Sequence, residues 1–161
     1  MEKCLFCWKY KNKEISYFGE NESFWYHLDQ FPINSGHTEI IPKRHFANLT
    51  EINTREWNCL IEGIEEAKYM IENVLNLEDY YKRILKNPVN EKSKDLIERV
   101  LNLPYFGEKP DAYNHGLNDG EAAGRTIHHL HWHVIPRYFG DVEDPRGGIR
   151  HIIPEVGNYR K

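Results

Sequence analysis

Residues 127–135 read Ile-His-His-Leu-His-Trp-His-Val-Ile. Successive side chains of a β-strand point to opposite faces. As a strand, this run places His129, His131 and His133 on one face, together with Ile127 and Ile135. The other face carries His128, Leu130, Trp132 and Val134. A face that apolar has to be packed, so the strand belongs to a sheet covered by a helix layer. The three imidazoles then share the opposite face, with neighbouring Cα atoms roughly 6–7 Å apart. Three titratable rings held there cost free energy unless they are paired or used. The chain has 161 residues and 9 histidines. Four of those histidines crowd into this segment, and the chemistry is sought there.

The rest of the chain supplies the sheet and its cover. Segments 15–18, 24–28 and 37–41 are short, rich in aromatic or β-branched residues and bounded by turn formers, which predicts three strands. Pro42 ends the third. A helix is predicted from Thr54 as N-cap, because apolar residues recur at Trp57, Leu60, Ile61, Ile64, Ala67, Ile71, Val74 and Leu75 with a 3.6-residue period. Residues 78–110 contain helical pieces at 80–85 and 93–103, broken at Asn87-Pro88, and read as an insertion packed on the domain. Two more strands follow at 112–117 and 127–136. Between them runs Asn118-Asp-Gly-Glu-Ala-Ala-Gly124, a small-residue loop suited to close approach of a ligand. Strands, then helix, then strands predict an α+β fold with an antiparallel sheet, organised as one domain over 1–161 with a turn-rich tail at 140–161.

Composition narrows the function classes. Lys and Arg number 21 against 25 Asp and Glu, a net charge of -4. No basic run marks a surface for duplex nucleic acid. No apolar run reaches the roughly 20 residues that span a bilayer, and the first residues lack a signal-peptide stretch, so a cytoplasmic protein without a membrane partner is expected. Residues 125–161 carry 6 bases and 4 acids, enough local positive charge for a small anionic ligand. Cys4 and Cys7 form a C-x2-C pair that invites metal or redox readings, whereas Cys59 lies in the helical pattern as a core residue.

Two chemistries suit the histidine face. Alternate imidazoles on a strand can ligate a metal. Alternatively, one imidazole is a nucleophile toward phosphorus and its neighbours assist, since the basic form of the ring is well populated at neutral pH. The second reading requires donors for phosphate oxygens. The loop 118–124, Arg125 and Thr126 stand immediately upstream.

The run His129-Leu-His131-Trp-His133-Val-Ile, of the form H-φ-H-φ-H-φ-φ with φ apolar, resembles the histidine triad (HIT) superfamily of nucleotide hydrolases and transferases. Asn118-Asp-Gly-Glu-Ala-Ala-Gly-Arg-Thr126 is similar to the loop before the triad in diadenosine polyphosphate hydrolases. Residues 28–45, ending in Pro42-Lys-Arg-His45, resemble the P-K-x-H signature of the superfamily, and Cys4-Leu-Phe-Cys7 the C-x-F-C opening of many bacterial members. The resemblance implies a five-stranded antiparallel sheet with one long helix, and a homodimer. It implies His131 as the nucleophile that attacks the α-phosphorus, with His129 and His133 as its partners. It further implies Asn118 and Thr126 at the α-phosphate, Asp29 at the ribose hydroxyls, and Leu5, Phe6 and Gln30 around the nucleobase. Cys4, Cys7, His45 and His129 correspond to a structural zinc site.

Two features depart from the pattern. Residues 78–110 lengthen the segment after the long helix, and Arg125 stands where many members have Gln, which adds a cation near the phosphates. Arg146 and Arg150 in the tail suit either a further phosphate or a solvated turn. The expected activity is hydrolysis of a dinucleoside polyphosphate or nucleoside phosphoramidate through a nucleotidyl-histidine, with Mg2+ arriving only with the substrate. A nucleotide-binding sensor or nucleotidyltransferase with little hydrolytic turnover is the alternative.

Overall fold

The computed structural model describes residues 4–158. Residues 1–3 and 159–161, the ends of the expected domain and tail, lie outside them. Five strands form one antiparallel sheet: β1 (Tyr17–Glu20), β2 (Phe24–Leu28), β3 (Thr38–Pro42), β4 (Ala112–Gly116) and β5 (Trp132–Arg137), in the order β1-β2-β3-β5-β4. The helices are α1 (Leu5–Lys11), α2 (Thr54–Asn73), α3 (Leu77–Leu85), α4 (Glu91–Leu101) and the short α5 (Pro154–Gly157). This is the predicted α+β sheet-and-helix fold. Among the described residues, no helix is long and apolar enough to cross a membrane.

Strand parity divides the sheet. Phe24, Tyr26 and Leu28 of β2, Ile40 of β3 and Val134 of β5 turn to one side and join Leu60, Ala67 and Ile71 of α2 in the main core. Trp25 of β2 and Ile41 of β3 turn to the other side, where Phe6 of α1 covers them. Both faces of β2 and β3 are therefore buried. The sequence reading contained no α1. Its 7 residues are too few to show a period, and the helix is held by the sheet face it covers.

α2 begins one residue earlier than expected. Asn53, not Thr54, is the N-cap: its side chain accepts the Glu56 N–H at 3.0 Å, and Glu56 accepts the Asn53 N–H at 3.0 Å. Glu56 also holds the Arg44 guanidinium at 2.8 and 2.9 Å. The buried stripe is Cys59, Leu60, Gly63, Ala67 and Ile71, whereas Trp57, Ile61 and Val74 are exposed. Gly63 explains this rotation. A Cβ there would lie 3.0 Å from the Tyr26 ring, so the helix presents its narrowest residue to the bulkiest side chain on that face of β2.

The segment after α2 is part of the core. Tyr81 and Ile84 of α3 and Ile97 and Val100 of α4 are fully buried in the main cluster. These helices also hold the loop between β2 and β3. Tyr81 Oη accepts the Gly36 N–H at 2.9 Å, Ser93 Oγ donates to the Gln30 carbonyl at 2.5 Å, and Arg99 donates to the Ile33 carbonyl at 3.1 Å. Gly36 has φ +78, and a Cβ there would meet Ile71 at 2.9 Å.

β5 is shorter than the strand predicted at 127–136. Its ladder with β3 runs from Thr38↔Val134 to Ile40↔Trp132. Two residues further along β3 stands Pro42, which has no N–H to offer. The chain bends at 127–129, and the Leu130 N–H turns to the Phe46 carbonyl at 2.7 Å. His129 and His131 thus precede the strand, and only His133 lies in it.

The bond from Gly36 to Tyr81 gives a direct test. Tyr81→Phe leaves a buried N–H without a partner and is expected to cost about 1–3 kcal/mol in denaturant unfolding. Tyr69→Phe on the exposed side of α2 is expected to change stability by less than about 0.5 kcal/mol.

Candidate active site and metal centre

A cavity of about 330 Å³ opens on the α1 side of the sheet, between α1, the start of the β2–β3 loop, the 118–126 loop and β5. Leu5, Phe6, Asp29, Gln30, Asn118, Thr126, His131 and His133, eight of the expected site residues, line it. His129 and Arg125 do not. The Arg125 guanidinium donates to the Ala47 carbonyl at 2.9 Å and to Asn48 Oδ1 at 3.0 Å. It braces the 118–126 loop against the 47–48 turn.

His129 belongs to a second cluster. Its Nδ1 lies 3.3 Å from Cys4 Sγ and 3.6 Å from Cys7 Sγ, and His45 Nδ1 lies 3.5 Å from Cys7 Sγ. The ligand atoms of Cys4, Cys7, His45 and His129 all fall within 4.8 Å of one another. A tetrahedral zinc with bonds near 2.3 Å to sulfur and 2.0–2.1 Å to nitrogen has S···N edges of roughly 3.6 Å. The residues therefore fit a Cys2His2 zinc ion. His129 Nε2–H donates to the Pro42 carbonyl at 2.8 Å, which leaves the Nδ1 lone pair facing the sulfurs. Burial pushes the His129 imidazole down to about 4 and, with Cys4 beside it, the Cys7 thiol up to about 11. A neutral imidazole is ready to ligate. The thiol carries an electrostatic cost that a divalent cation reverses.

The carbonyl of His129 orients the next imidazole. His131 Nδ1–H donates to it at 2.8 Å, so the lone pair of the neutral ring is on Nε2, 4.0 Å from Glu39 Oε1, and the residue lines the cavity. His133 stands across the cavity wall, its ring centroid 5.2 Å from that of His131. His133 Nδ1 shares a hydrogen bond of 3.1 Å with His37 Nε2, and His37 Nδ1 lies 3.2 Å from Asp29 Oδ2. Asp29 also closes a turn by accepting the Phe31 N–H at 2.8 Å. Burial lowers His133 to about 4, against the pull of Glu39. The expected single face of three imidazoles is thus divided. His131 and His133 line the cavity, whereas both ring nitrogens of His129 are engaged elsewhere. His128 is exposed, 3.9 Å from Glu121.

Several residues of the site escaped the sequence reading. Glu39 is buried behind the triad and accepts from His27 Nε2 at 2.7 Å. His27 Nδ1 lies 3.0 Å from Ser16 Oγ, and the Ser16 hydroxyl donates to Glu14. Burial alone would raise the Glu39 carboxyl. The His27 bond and the imidazoles of His133 and His131 outweigh it and hold Glu39 below the usual carboxylate range. Lys9 is buried at the cavity wall and donates to Gln30 Oε1 at 2.6 Å, and Gln30 Nε2 donates to Glu14 at 2.9 Å. The available signal was a lone acid in the otherwise apolar strand Thr-Glu-Ile-Ile-Pro. Its partners follow only from register, which sets His27, Glu39 and His133 side by side across three strands.

A larger hollow of about 510 Å³ lies where the tail crosses the sheet, beyond β5 Ile135 and Arg137. Arg137 is held there by Asp141 at 2.6 and 2.8 Å. Arg146 makes a two-pronged pair with Asp144 at 2.8 Å, and Arg150 donates to the carbonyls of Val156 and Gly157.

Comparisons with known proteins agree with this architecture. The HIT domain family model matches residues 11–140. An uncharacterized HIT-like protein of Methanocaldococcus jannaschii is 30% identical over 142 residues, 87% of this chain and 83% of that protein. The AP-4-A phosphorylase of Mycobacterium tuberculosis is 27% identical over 115 residues, 71% of this chain and 42% of that enzyme. The crystal structure of a Zn-bound histidine triad family protein from Mycobacterium smegmatis matches with a TM-score of 0.54 at 26% identity, covering 88% of this chain and 80% of that one. A family match over most of the length, on a five-stranded antiparallel sheet that brings His131 and His133 to one cavity, means that the chain belongs to the histidine triad (HIT) family.

Proposed function

We propose that the protein hydrolyses a nucleoside phosphoanhydride, with dinucleoside polyphosphates as the substrate class, through a nucleotidyl-histidine on His131. The observation that carries this reading is the tautomer of His131: the bond from Nδ1–H to the His129 carbonyl leaves an in-plane lone pair on Nε2 at the cavity wall. Asn118 and Thr126 stand on the same wall as donors for phosphate oxygens, and Asp29 with Leu5 and Phe6 bounds the space for the nucleoside. The relation to an AP-4-A phosphorylase supports the substrate class.

In the first step the Nε2 lone pair forms a bond to the α-phosphorus. The P–O bond to the remaining polyphosphate breaks, and its electron pair leaves on that oxygen. Asn118, Thr126 and the backbone N–H groups of the 118–126 loop stabilise the charge that develops. His129 has no free nitrogen for proton transfer, so His133 is the imidazole left to assist. Buried and largely uncharged at neutral pH, His133 is a weak proton donor. That suits a polyphosphate leaving group, which departs readily as an anion, better than the amine of a phosphoramidate. In the second step water attacks phosphorus, the N–P bond returns its pair to Nε2, and the water proton passes to solvent.

Cys4, Cys7, His45 and His129 would hold a structural zinc ion. When bound, it supplies a fixed cross-link between α1, the segment after β3 and the approach to β5. The zinc-bound M. smegmatis relative supports this assignment. Cysteines kept for a metal rather than for a disulfide suit a reducing, cytoplasmic setting. β4 ends the sheet, and a terminal strand that a second copy could pair with supports a homodimer. The working unit is the whole chain, since α3 and α4 hold the loop that carries Asp29 and Gln30.

Two outcomes test the reading. His131→Ala is expected to lower dinucleoside polyphosphate turnover by roughly 10⁴-fold or more, while nucleotide affinity measured by calorimetry stays within about threefold. Full turnover by this variant overturns the mechanism. Dialysis against chelator is expected to lower unfolding free energy by about 2–4 kcal/mol, restored by zinc. Cys7→Ser should remove that difference, and a chelator-insensitive wild type would refute the zinc assignment.

A further inference from the structure

The hydrolytic scheme gives no task to one oxygen of Glu39. Oε2 is held by His27 at 2.7 Å, whereas Oε1 lies 3.9 Å from His133 Nδ1 and 4.0 Å from His131 Nε2. The three ligand atoms fall within 4.8 Å of one another, and all three side chains line the cavity. A carboxylate oxygen and two imidazole nitrogens converge on one point, as in sites of two histidines and one carboxylate. We propose that Glu39, His131 and His133 form a second divalent-metal site, distinct from the Cys4, Cys7, His45 and His129 cluster. We further propose that an ion there and a nucleotide on His131 exclude one another. The exclusion rests on the proposed nucleophilic role of His131; the metal site does not.

The geometry supports an ion after a small adjustment. A donor triangle of this size places a central ion about 2.4 Å from each atom, against roughly 2.0–2.2 Å for zinc bonds to nitrogen and oxygen. Side-chain rotation of a few tenths of an ångström closes the gap. The outer partners that orient metal ligands are already present. His131 is fixed through Nδ1–H to the His129 carbonyl, and Glu39 through Oε2 to His27, itself 3.0 Å from Ser16 Oγ. His133 Nδ1 shares a proton with His37 Nε2 at 3.1 Å. His37 Nδ1 accepts the Ile33 N–H at 3.4 Å, so His37 Nε2–H donates to His133 Nδ1, and an ion takes the His133 lone pair by displacing that bond. Asn118 and Thr126 line the same cavity, which leaves room for water or a phosphate oxygen as a fourth ligand. Two imidazoles and one carboxylate select zinc, cobalt, nickel or ferrous iron over magnesium or calcium. The two clusters share no ligand atom: His129 gives its ring to one and its carbonyl, through His131, to the other.

Cobalt(II) titration of metal-free protein reads the two sites separately. Wild type is expected to bind two equivalents, one with near-ultraviolet thiolate charge-transfer bands and one with visible ligand-field bands alone. Glu39→Gln and His133→Asn should each bind one equivalent and keep the thiolate bands, which also report that the variant is folded. The double variant Cys4→Ser, Cys7→Ser should bind one equivalent without them. His27→Phe removes only an outer partner and should weaken the second site by roughly 10–100-fold. A single equivalent in wild type, or two in both Glu39→Gln and His133→Asn, overturns the site. For the exclusion, protein with both sites filled is mixed with a dinucleoside polyphosphate and quenched without acid. No nucleotidyl-His131 is expected, whereas protein filled only at the cysteine cluster should give it. Equal labelling of both forms refutes exclusion while leaving the site standing. Labelling of neither form refutes the nucleophilic role of His131, and the exclusion with it, while the metal count still decides the site.

Discussion

His129 ties the two halves of the site together. Its Nε2–H closes the end of β3 by bonding the Pro42 carbonyl, its Nδ1 faces the two sulfurs, and its own carbonyl sets the tautomer of His131. These contacts at one residue thus join strand termination, the cysteine cluster and the lone pair of the proposed nucleophile. The arrangement depends on Pro42. With an N–H at that position, the β3–β5 ladder could continue, and His129 would stand on the same strand face as His131 and His133. Proline ends the ladder, the chain bends, and the first imidazole is freed for a different partner.

Phe6 makes the coupling physical on the other side. Its ring meets His131 at 5.2 Å, His27 at 5.8 Å, His129 at 6.0 Å and Trp25 at 6.2 Å between centroids, each edge to face. A single fully buried aromatic ring therefore packs between the cysteine cluster, the cavity and the sheet. Since Cys4 and Cys7 flank Phe6 in sequence, any ion that fixes the two sulfurs also fixes this ring against three imidazoles. The short helix α1 is thereby held by side-chain contacts rather than by its own propensity.

Much of this was legible in the residues. The bounds of β2 follow from an aromatic run closed by turn formers, and the place of α2 from its 3.6-residue period. Eight residues of the cavity lining followed from the motif positions, which lie on segments the sheet brings together. Legibility failed where the outcome depends on a partner far along the chain. Glu39 reads as an acid in an apolar strand until register sets it between His27 and His133. Arg125 reads as a cation beside a phosphate loop until the 47–48 turn supplies two acceptors for it. The end of β5 is set by a proline 90 residues earlier, and the rotation of α2 by the fit of Gly63 to Tyr26. These are pairwise facts that no single segment contains.

The hold of α3 and α4 on the β2–β3 loop has a consequence for motion. That loop carries Asp29 and Gln30, and it is fastened at Gln30, Ile33 and Gly36 by side chains from helices whose inner faces are fully buried. A segment pinned at three points cannot swing on the fast timescale of a free surface loop; it opens only with partial unfolding of the helices behind it. The 118–126 wall differs, with exposed residues at its tip and open space around Gly120. Traffic through the cavity therefore has a rigid side and a yielding side. A ligand in the cavity meets a fixed wall on one side and an exposed, glycine-bearing tip on the other.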